Sequence, residues 1–209
     1  CVLIPGSGLD MHEFNASIKK AKPATECVVL MASRLLIDKG VVEFFEAARI
    51  IKETKETSGL RFILAGAIDP GNFSAISDER LEELIAQGNV DYVGQQRDIK
   101  HLLSLSDVVV LPSYREGVPR ILLEALSCEI PVVGSDVPGI REIVREGKNG
   151  LLVPAGDAGS LSEAIYSLVA NPSLREALGR AARESIQSKY DQATIIAQTR
   201  EIYEALCIS

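Results

Sequence analysis

Two cations and two carboxylates stand in settings that could do chemistry on a phosphorylated ligand. Arg34 and Lys39 fall in the run Ser33-Arg34-Leu35-Leu36-Ile37-Asp38-Lys39-Gly40, between an apolar stretch and an amphipathic one. They would flank a helix N-terminus, where free backbone N–H groups already favour anions. Arginine supplies a planar fork of donors and lysine a mobile point charge, a combination suited to a diphosphate. Two solvated surface cations would give the same local pattern. Glu116 and Glu124 belong to Pro112-Ser113-Tyr114-Arg115-Glu116-Gly117-Val118-Pro119-Arg120 and the helix that follows it. Glu116 is expected in the loop and Glu124 about one turn into the helix, with Pro119 in its first turn. Carboxylates accept hydrogen bonds from sugar hydroxyls, so the pair could hold two different rings. Gly117 would let the backbone approach the ligand. Alone, the two glutamates read equally well as a solvated pair.

Two further loops carry weaker signals. Gly94-Gln95-Gln96-Arg97-Asp98 is short and polar and could read a base edge through its backbone; it could equally be an ordinary capped turn. Asp136-Val137-Pro138-Gly139-Ile140-Arg141-Glu142 reads as a structural turn set by its Pro-Gly pair. His12 and His101 lack carboxylate or cysteine partners at ligand spacing, so no metal site is expected. No G-x-G-x-x-G, no G-x-x-x-x-G-K-[ST] and no G-x-S-x-G occurs in the chain.

These loops need elements to hold them. Apolar runs at Val2–Ile4, Cys27–Met31, Phe62–Ala65, Val90–Val93, Val108–Leu111, Pro131–Gly134 and Leu151–Val153 show little polar alternation, as buried parallel strands do. Between them lie helical patterns: Val41, Phe44, Phe45, Ala48 and Ile51; Leu81, Leu84 and Ile85; Ile121, Leu122, Ala125 and Leu126. After residue 155 the chain reads as helix throughout, at about 157–170, 172–188 and 191–206, with Asp157 and Asn171 as N-caps and Pro172 in a first turn. The expectation is an α/β domain: a Rossmann-like, doubly wound parallel sheet of about six strands with helices on both faces and a helical C-terminal segment. In such sheets ligands bind at the carboxyl ends of the strands.

A chain of 209 residues, 46% of them hydrophobic, suits one compact domain. The net charge of -7, with no Lys/Arg cluster, argues against a nucleic-acid partner, although a small basic site could still attract a compact anion. No apolar run approaches the roughly 20 residues of a membrane span, and the first residues do not read as a signal peptide. Cys1, Cys27, Cys128 and Cys207 lack C-x-x-C spacing and read as small buried thiols, compatible with a reducing cytoplasm. A strand at residue 1 reads as a piece of something longer.

Taken in order, the four loops resemble the C-terminal, nucleotide-sugar donor-binding domain of GT-B fold glycosyltransferases of family 4. Pro5-Gly6-Ser7-Gly8-Leu9-Asp10 followed by Phe14 is similar to the start of that domain. Arg34 with Lys39-Gly40 matches its phosphate-binding pair. Glu116 through Glu124 matches its E-x7-E signature. Pro138-Gly139-Ile140-Arg141-Glu142 and Glu146-Gly147-Lys148-Asn149-Gly150-Leu151-Leu152-Val153-Pro154 match the blocks that follow. The resemblance covers nearly the whole chain. The string Tyr114–Arg120 looks closest to members that add an N-acetylated hexosamine or related sugar to undecaprenyl-diphosphate-linked saccharides.

The resemblance implies that Arg34 and Lys39 hold the donor diphosphate, Glu124 the ribose hydroxyls, and Glu116 the donor sugar beside Gly117, Val118 and Pro119. Gln96, Arg97 and Asp98 would lie near the base, with Gly8, Gly66 and Ser113 along the donor. It implies a retaining transfer from a nucleotide-diphosphate sugar, uridine-linked in the closest subgroup, with no metal or other cofactor. The acceptor would be a saccharide or lipid-linked saccharide, met at the inner face of the membrane by a cytoplasmic protein. Ser33 and Glu129 replace glycines common in the family, and neither removes an implied contact. A family member also carries an acceptor-binding first domain, absent here, so this chain would bind donor without efficient turnover. A non-catalytic nucleotide-sugar scaffold, or a GT-B epimerase acting on a nucleotide sugar, are the alternative readings. The stripe Ile195, Ile196, Ile202 and Leu206 would be partly exposed without that first domain.

Overall fold

The computed structural model describes Gly6, residues 8–21, Pro23 and residues 25–207, apart from the side chains of Leu206 and Cys207. The expected strand Val2–Ile4, and Cys1, Pro5 and Ser7, lie outside the described residues. Six strands form one parallel sheet in the order β3-β2-β1-β4-β5-β6: β1 (Cys27–Ala32), β2 (Leu60–Ala65), β3 (Asp91–Tyr92), β4 (Val108–Leu111), β5 (Val132–Ser135) and β6 (Gly150–Val153). Strand order reverses between β1 and β4, which opens a crevice at their carboxyl ends.

Both faces of the sheet are covered, which explains why the strands lack polar alternation. Val28 and Leu30 of β1, with Val109 and Leu111 of β4, pack under α3 (Ile99–Leu105), α4 (Arg120–Ser127) and α7 (Pro172–Tyr190). Val29 and Met31, with Val108 and Val110, pack under α1 (Val41–Thr54), α2 (Asp78–Ala86) and α6 (Ala158–Ala170). The α1 stripe Val41, Phe44, Phe45, Ala48 and Ile51 is buried as its spacing requires. Asp157 and Asn171 cap α6 and α7 by accepting from Ser160 N and Leu174 N at 2.9 and 3.1 Å.

Some boundaries differ from the sequence reading. β2 begins at Leu60 because exposed Arg61, which interrupts the apolar run, pairs with Asp91 of the edge strand at 2.8 Å. β3 is only two residues long, as an edge strand needs little burial. β5 starts after Pro131, which has no N–H to give a ladder. The short helix α5 (Pro138–Arg141) carries its proline at the N-terminus, and α8 (Gln192–Cys207) ends the described chain. Cys27 and Cys128 are buried; burial pushes the Cys128 thiol up to about 12.

Candidate functional site

The β1–α1 loop carries Arg34 on the strand side and Lys39 at the end of a 3-10 turn (Ile37–Lys39). Gly40 then caps α1 with a left-handed φ of 77°. The loop is tied to the one after β2: Ile37 N donates to Ser74 O at 2.7 Å and Leu35 N to Ala67 O at 2.9 Å. It is tied to the one after β4 by Tyr114 N donating to Asp38 O at 2.9 Å.

Backbones touch at each junction between these loops. A Cβ at Gly66 would lie 1.9 Å from Ser33 O, one at Gly40 2.3 Å from Pro112 O, and one at Gly139 1.5 Å from Gly117 O. The Pro-Gly turn is therefore more than a turn. Gly139 lets α5 press on the loop that carries Glu116. Asn149, fully buried, does similar work behind it, donating to Ile143 O at 2.8 Å and to Ser185 Oγ at 2.7 Å.

The interlocked loops bound a cleft of about 550 Å³ at the strand-order switch. Arg34, Gly66, Asp69, Gln96, Arg120 and Glu124 are among its lining residues, with Gln95 and Ile121. Arg34 Nη1 meets Asp69 Oδ2 at 2.9 Å across it. Glu124, on the fifth position of α4, is buried; this raises its pKa above the usual carboxylate range, while Arg120 opposes the rise through Nε at 2.8 Å from Oε1.

Lys39 and Glu116 lie beyond the lined cleft, joined by Nζ to Oε1 at 2.7 Å, with only 19% and 11% of their side chains exposed. Charged groups this far from water persist only when paired. Ser113 is fully buried at the carboxyl end of β4, and its Oγ has no hydrogen-bond partner among the described residues. Gly117 presents an open side where a Cβ would touch nothing within 4 Å, and Val118 packs on the core just before Pro119, the N-cap of α4.

Of the residues named from the sequence, Arg34, Gly66, Gln96 and Glu124 line the cleft; Lys39, Ser113, Glu116, Gly117, Val118 and Pro119 do not, and neither do Gly8, Arg97 and Asp98. Gly8 packs on the start of α8, where a Cβ would come within 2.8 Å of Gln192 Cα, and does not line the cleft. Arg97 and Asp98 also lie off its lining; Asp98 caps α3 by accepting from His101 N at 3.1 Å. The polar loop after β3 is thus a capped turn whose inner edge, Gln95 and Gln96, faces the cleft. Asp69, Arg120 and Ile121 were not named as site residues by the sequence reading, and Gln95 was marked only as part of the polar loop Gly94-Gln95-Gln96-Arg97-Asp98. Only the neighbourhood of Glu124 could have flagged Arg120 and Ile121, and nothing local flagged Asp69. Among the described residues no group of three or more His, Cys, Asp or Glu is placed to hold a metal ion, and no helix is long and apolar enough to cross a membrane.

A doubly wound parallel sheet with a polar, charge-lined cleft at its switch point defines an α/β domain of the Rossmann-like class. Residues 13–185 match the family described as glycosyl transferases group 1, and the chain belongs to that family. It is 37% identical over 178 residues to the N,N'-diacetylbacillosaminyl-diphospho-undecaprenol alpha-1,3-N-acetylgalactosaminyltransferase of Campylobacter jejuni, covering 85% of this chain and 44% of that protein. It is 30% identical to the putative colanic acid biosynthesis glycosyltransferase WcaL of Escherichia coli, covering 98% of this chain and 51% of that protein. Among solved structures, Anabaena Alr3699/HepE in complex with UDP superposes with a TM-score of 0.79 at 23% identity, covering 95% of this chain and 56% of the other, a likeness of fold. The chain spans about half the length of the curated relatives it matches.

Proposed function

We propose that this chain is the donor-binding half of a retaining glycosyltransferase of polysaccharide or glycan synthesis. It takes a hexose or N-acetylhexosamine from a uridine-diphosphate-linked donor for transfer to a saccharide or lipid-linked saccharide. The observation that carries the reading is convergence: Arg34, Lys39, Glu116 and Glu124 come from two loops and one helix to a single strand-order switch. The Campylobacter relative, named for transfer to an undecaprenol-linked saccharide, supports the acceptor class. Resemblance of the Tyr114–Arg120 string to the same subgroup supports the uridine carrier.

The arrangement has a polarity. Gln95, Gln96 and Glu124 share the open cleft, where a base and a ribose fit. Arg34 stands at the cleft side of the β1–α1 loop and Lys39 at its far end, as a diphosphate running toward Glu116 requires. When the bond between anomeric carbon and diphosphate breaks, negative charge grows on the leaving phosphate. Arg34, Lys39 and the N-terminus of α1 stabilise it, so the transfer proceeds without a divalent metal. Glu116 steadies the positive charge that develops on the sugar. The acceptor side belongs to the half of the protein not represented in this chain. A lipid-linked acceptor would bring the whole protein to the cytoplasmic face of a membrane. The chain alone binds donor with little turnover, because transfer also needs acceptor orientation and water exclusion.

Calorimetric titration with UDP and then GDP tests the reading, on the native chain and on Arg34→Ala and Glu124→Ala. UDP binds and GDP does not, and each substitution weakens UDP by about tenfold or more, the loss expected for a charge-assisted contact. Absence of binding by either nucleotide would sink the donor-domain reading for the isolated chain. Sugar transfer at ordinary enzyme rates would overturn the claim of low turnover.

A further inference from the structure

We propose that Arg120 is a positioning residue for the nucleoside: it holds Glu124 charged and aimed into the cleft, so that the carboxylate can accept from both ribose hydroxyls. The inference rests on the donor-binding reading of the same cleft.

Helix stability does not explain Arg120. It is the first residue of α4, where the helix dipole disfavours a cation. Its partner lies four residues toward the C-terminus, and cation-before-anion is the weaker order for such a pair. Surface exposure dilutes the pair further, since 67% of the Arg120 side chain meets solvent. Yet Nε meets Glu124 Oε1 at 2.8 Å, and only 8% of the Glu124 side chain is exposed. The contact therefore acts on the buried partner more than on the helix.

Glu124 needs such a partner. Burial favours its neutral form, and the Glu13 carboxylate adds to that bias. Glu13 is itself paired with Lys100 at 2.6 Å. The other ionisable groups nearby are Arg34 and Asp69 along the cleft, which pair with each other, and Cys128 and Arg183 toward α7. Arg183 is committed to Met11 O, Phe14 O and Ser127 O. Arg120 is thus the cation that opposes protonation of Glu124. A protonated Glu124 would keep its shape but lose charge and one acceptor site, where ribose offers two donors.

Calorimetric titration of UDP into the native chain, Arg120→Ala and Arg120→Lys, from about pH 6 to about pH 9, tests this. Native affinity should change little with pH. Relative to the native chain at the same pH, Arg120→Ala should bind up to about tenfold more weakly at the acid end of the range and recover as rising pH ionises Glu124. Arg120→Lys should fall between them, keeping the charge without the fork. Carbon NMR of the Glu124 carboxyl group in the ligand-free proteins gives a second reading: its titration should move to higher pH in Arg120→Ala. An unmoved carboxyl titration, or a weakening that is equal at every pH, would overturn the positioning role. If the native chain does not bind UDP, the donor reading falls and this inference falls with it. If the native chain binds and Arg120→Ala binds as well, only this inference falls.

Discussion

At the scale of single residues, the site stores its charges in pairs before any ligand arrives. Lys39 is held by Glu116 and Arg34 by Asp69, so on the proposed reading a donor diphosphate would compete with carboxylates for both cations. Glu124 carries a cost of its own. Its folded pKa is raised above the ordinary 4.5 by burial, so the native state holds the proton more tightly than the unfolded chain. The stability that this gives is complete below the unfolded value and is lost as pH rises through the folded one. Once ionised, the group therefore works against the fold. Glu124→Gln keeps the shape and removes the charge. It should leave the melting temperature unchanged or raised by about 2 °C, while UDP affinity falls about tenfold or more. Thermal denaturation beside calorimetry checks both halves; a lowered melting temperature with intact binding would contradict them.

Arg34, Lys39, Glu116 and Glu124 stood out as candidates through the family resemblance of their loops, since residue type and spacing alone left solvated surface charges equally open. Arg120 and Asp69 did not, since an exposed arginine at a helix start and an aspartate in a turn-rich loop carry no local signature. Both matter only through what folding places opposite them.

At the scale of elements, contact between loop backbones sets the site. Ser33 against Gly66, Pro112 against Gly40, and Gly117 against Gly139 make a continuous row of touching backbones. The end of α4 shows what happens where a glycine is replaced. Glu129 N donates to Leu126 O at 3.1 Å and Ile130 N to Ala125 O at 3.0 Å, the hydrogen bonds of a Schellman close. That close needs a left-handed residue, and Glu129 occupies it at φ 57°. Its side chain makes this conformation cost about 1–2 kcal/mol, part of which glycine would return as lost chain entropy. Glu129→Gly should stabilise the chain by about 1 kcal/mol, a rise of roughly 2–4 °C in melting temperature, without changing UDP affinity. A neutral or lower melting temperature would show that the Glu129 side chain compensates by contacts of its own. The departure from the family pattern at Glu129 is therefore a matter of helix closure, at a residue off the lining of the cleft.

At the scale of the whole molecule, two buried faces hold the sheet, and one helix stays only half engaged. Leu9 anchors the start of α8 through Gln192 N to Leu9 O at 3.0 Å, and Ile195 is buried. Farther along, Ile196 and Tyr203 are 59% and 67% exposed. Both flank a shallow apolar hollow with Thr199 and Gly6. An exposed apolar face of this kind favours association. Sedimentation velocity should show concentration-dependent self-association that Ile196→Lys with Tyr203→Lys abolishes while UDP binding survives. A monodisperse monomer at high concentration would refute it.

The sequence by itself determined the layered α/β class, because strands buried on both faces must be apolar at every position, and helices covering them must repeat at three and four residues. It determined the polarity of the site as well, since parallel strands put their following loops on one edge. The family resemblance of its loops marked Arg34, Lys39, Glu116 and Glu124 as candidates. Tertiary structure alone decided the strand order and the place of the crevice, because pairing between β1 and β4 joins residues far apart in the chain. It alone decided which groups face one another across that crevice: Arg34 with Asp69, Lys39 with Glu116. Such pairs depend on how loops from separate strands interlock, and interlocking is set by backbone contact at three glycines, a geometry that no local pattern of residue types encodes.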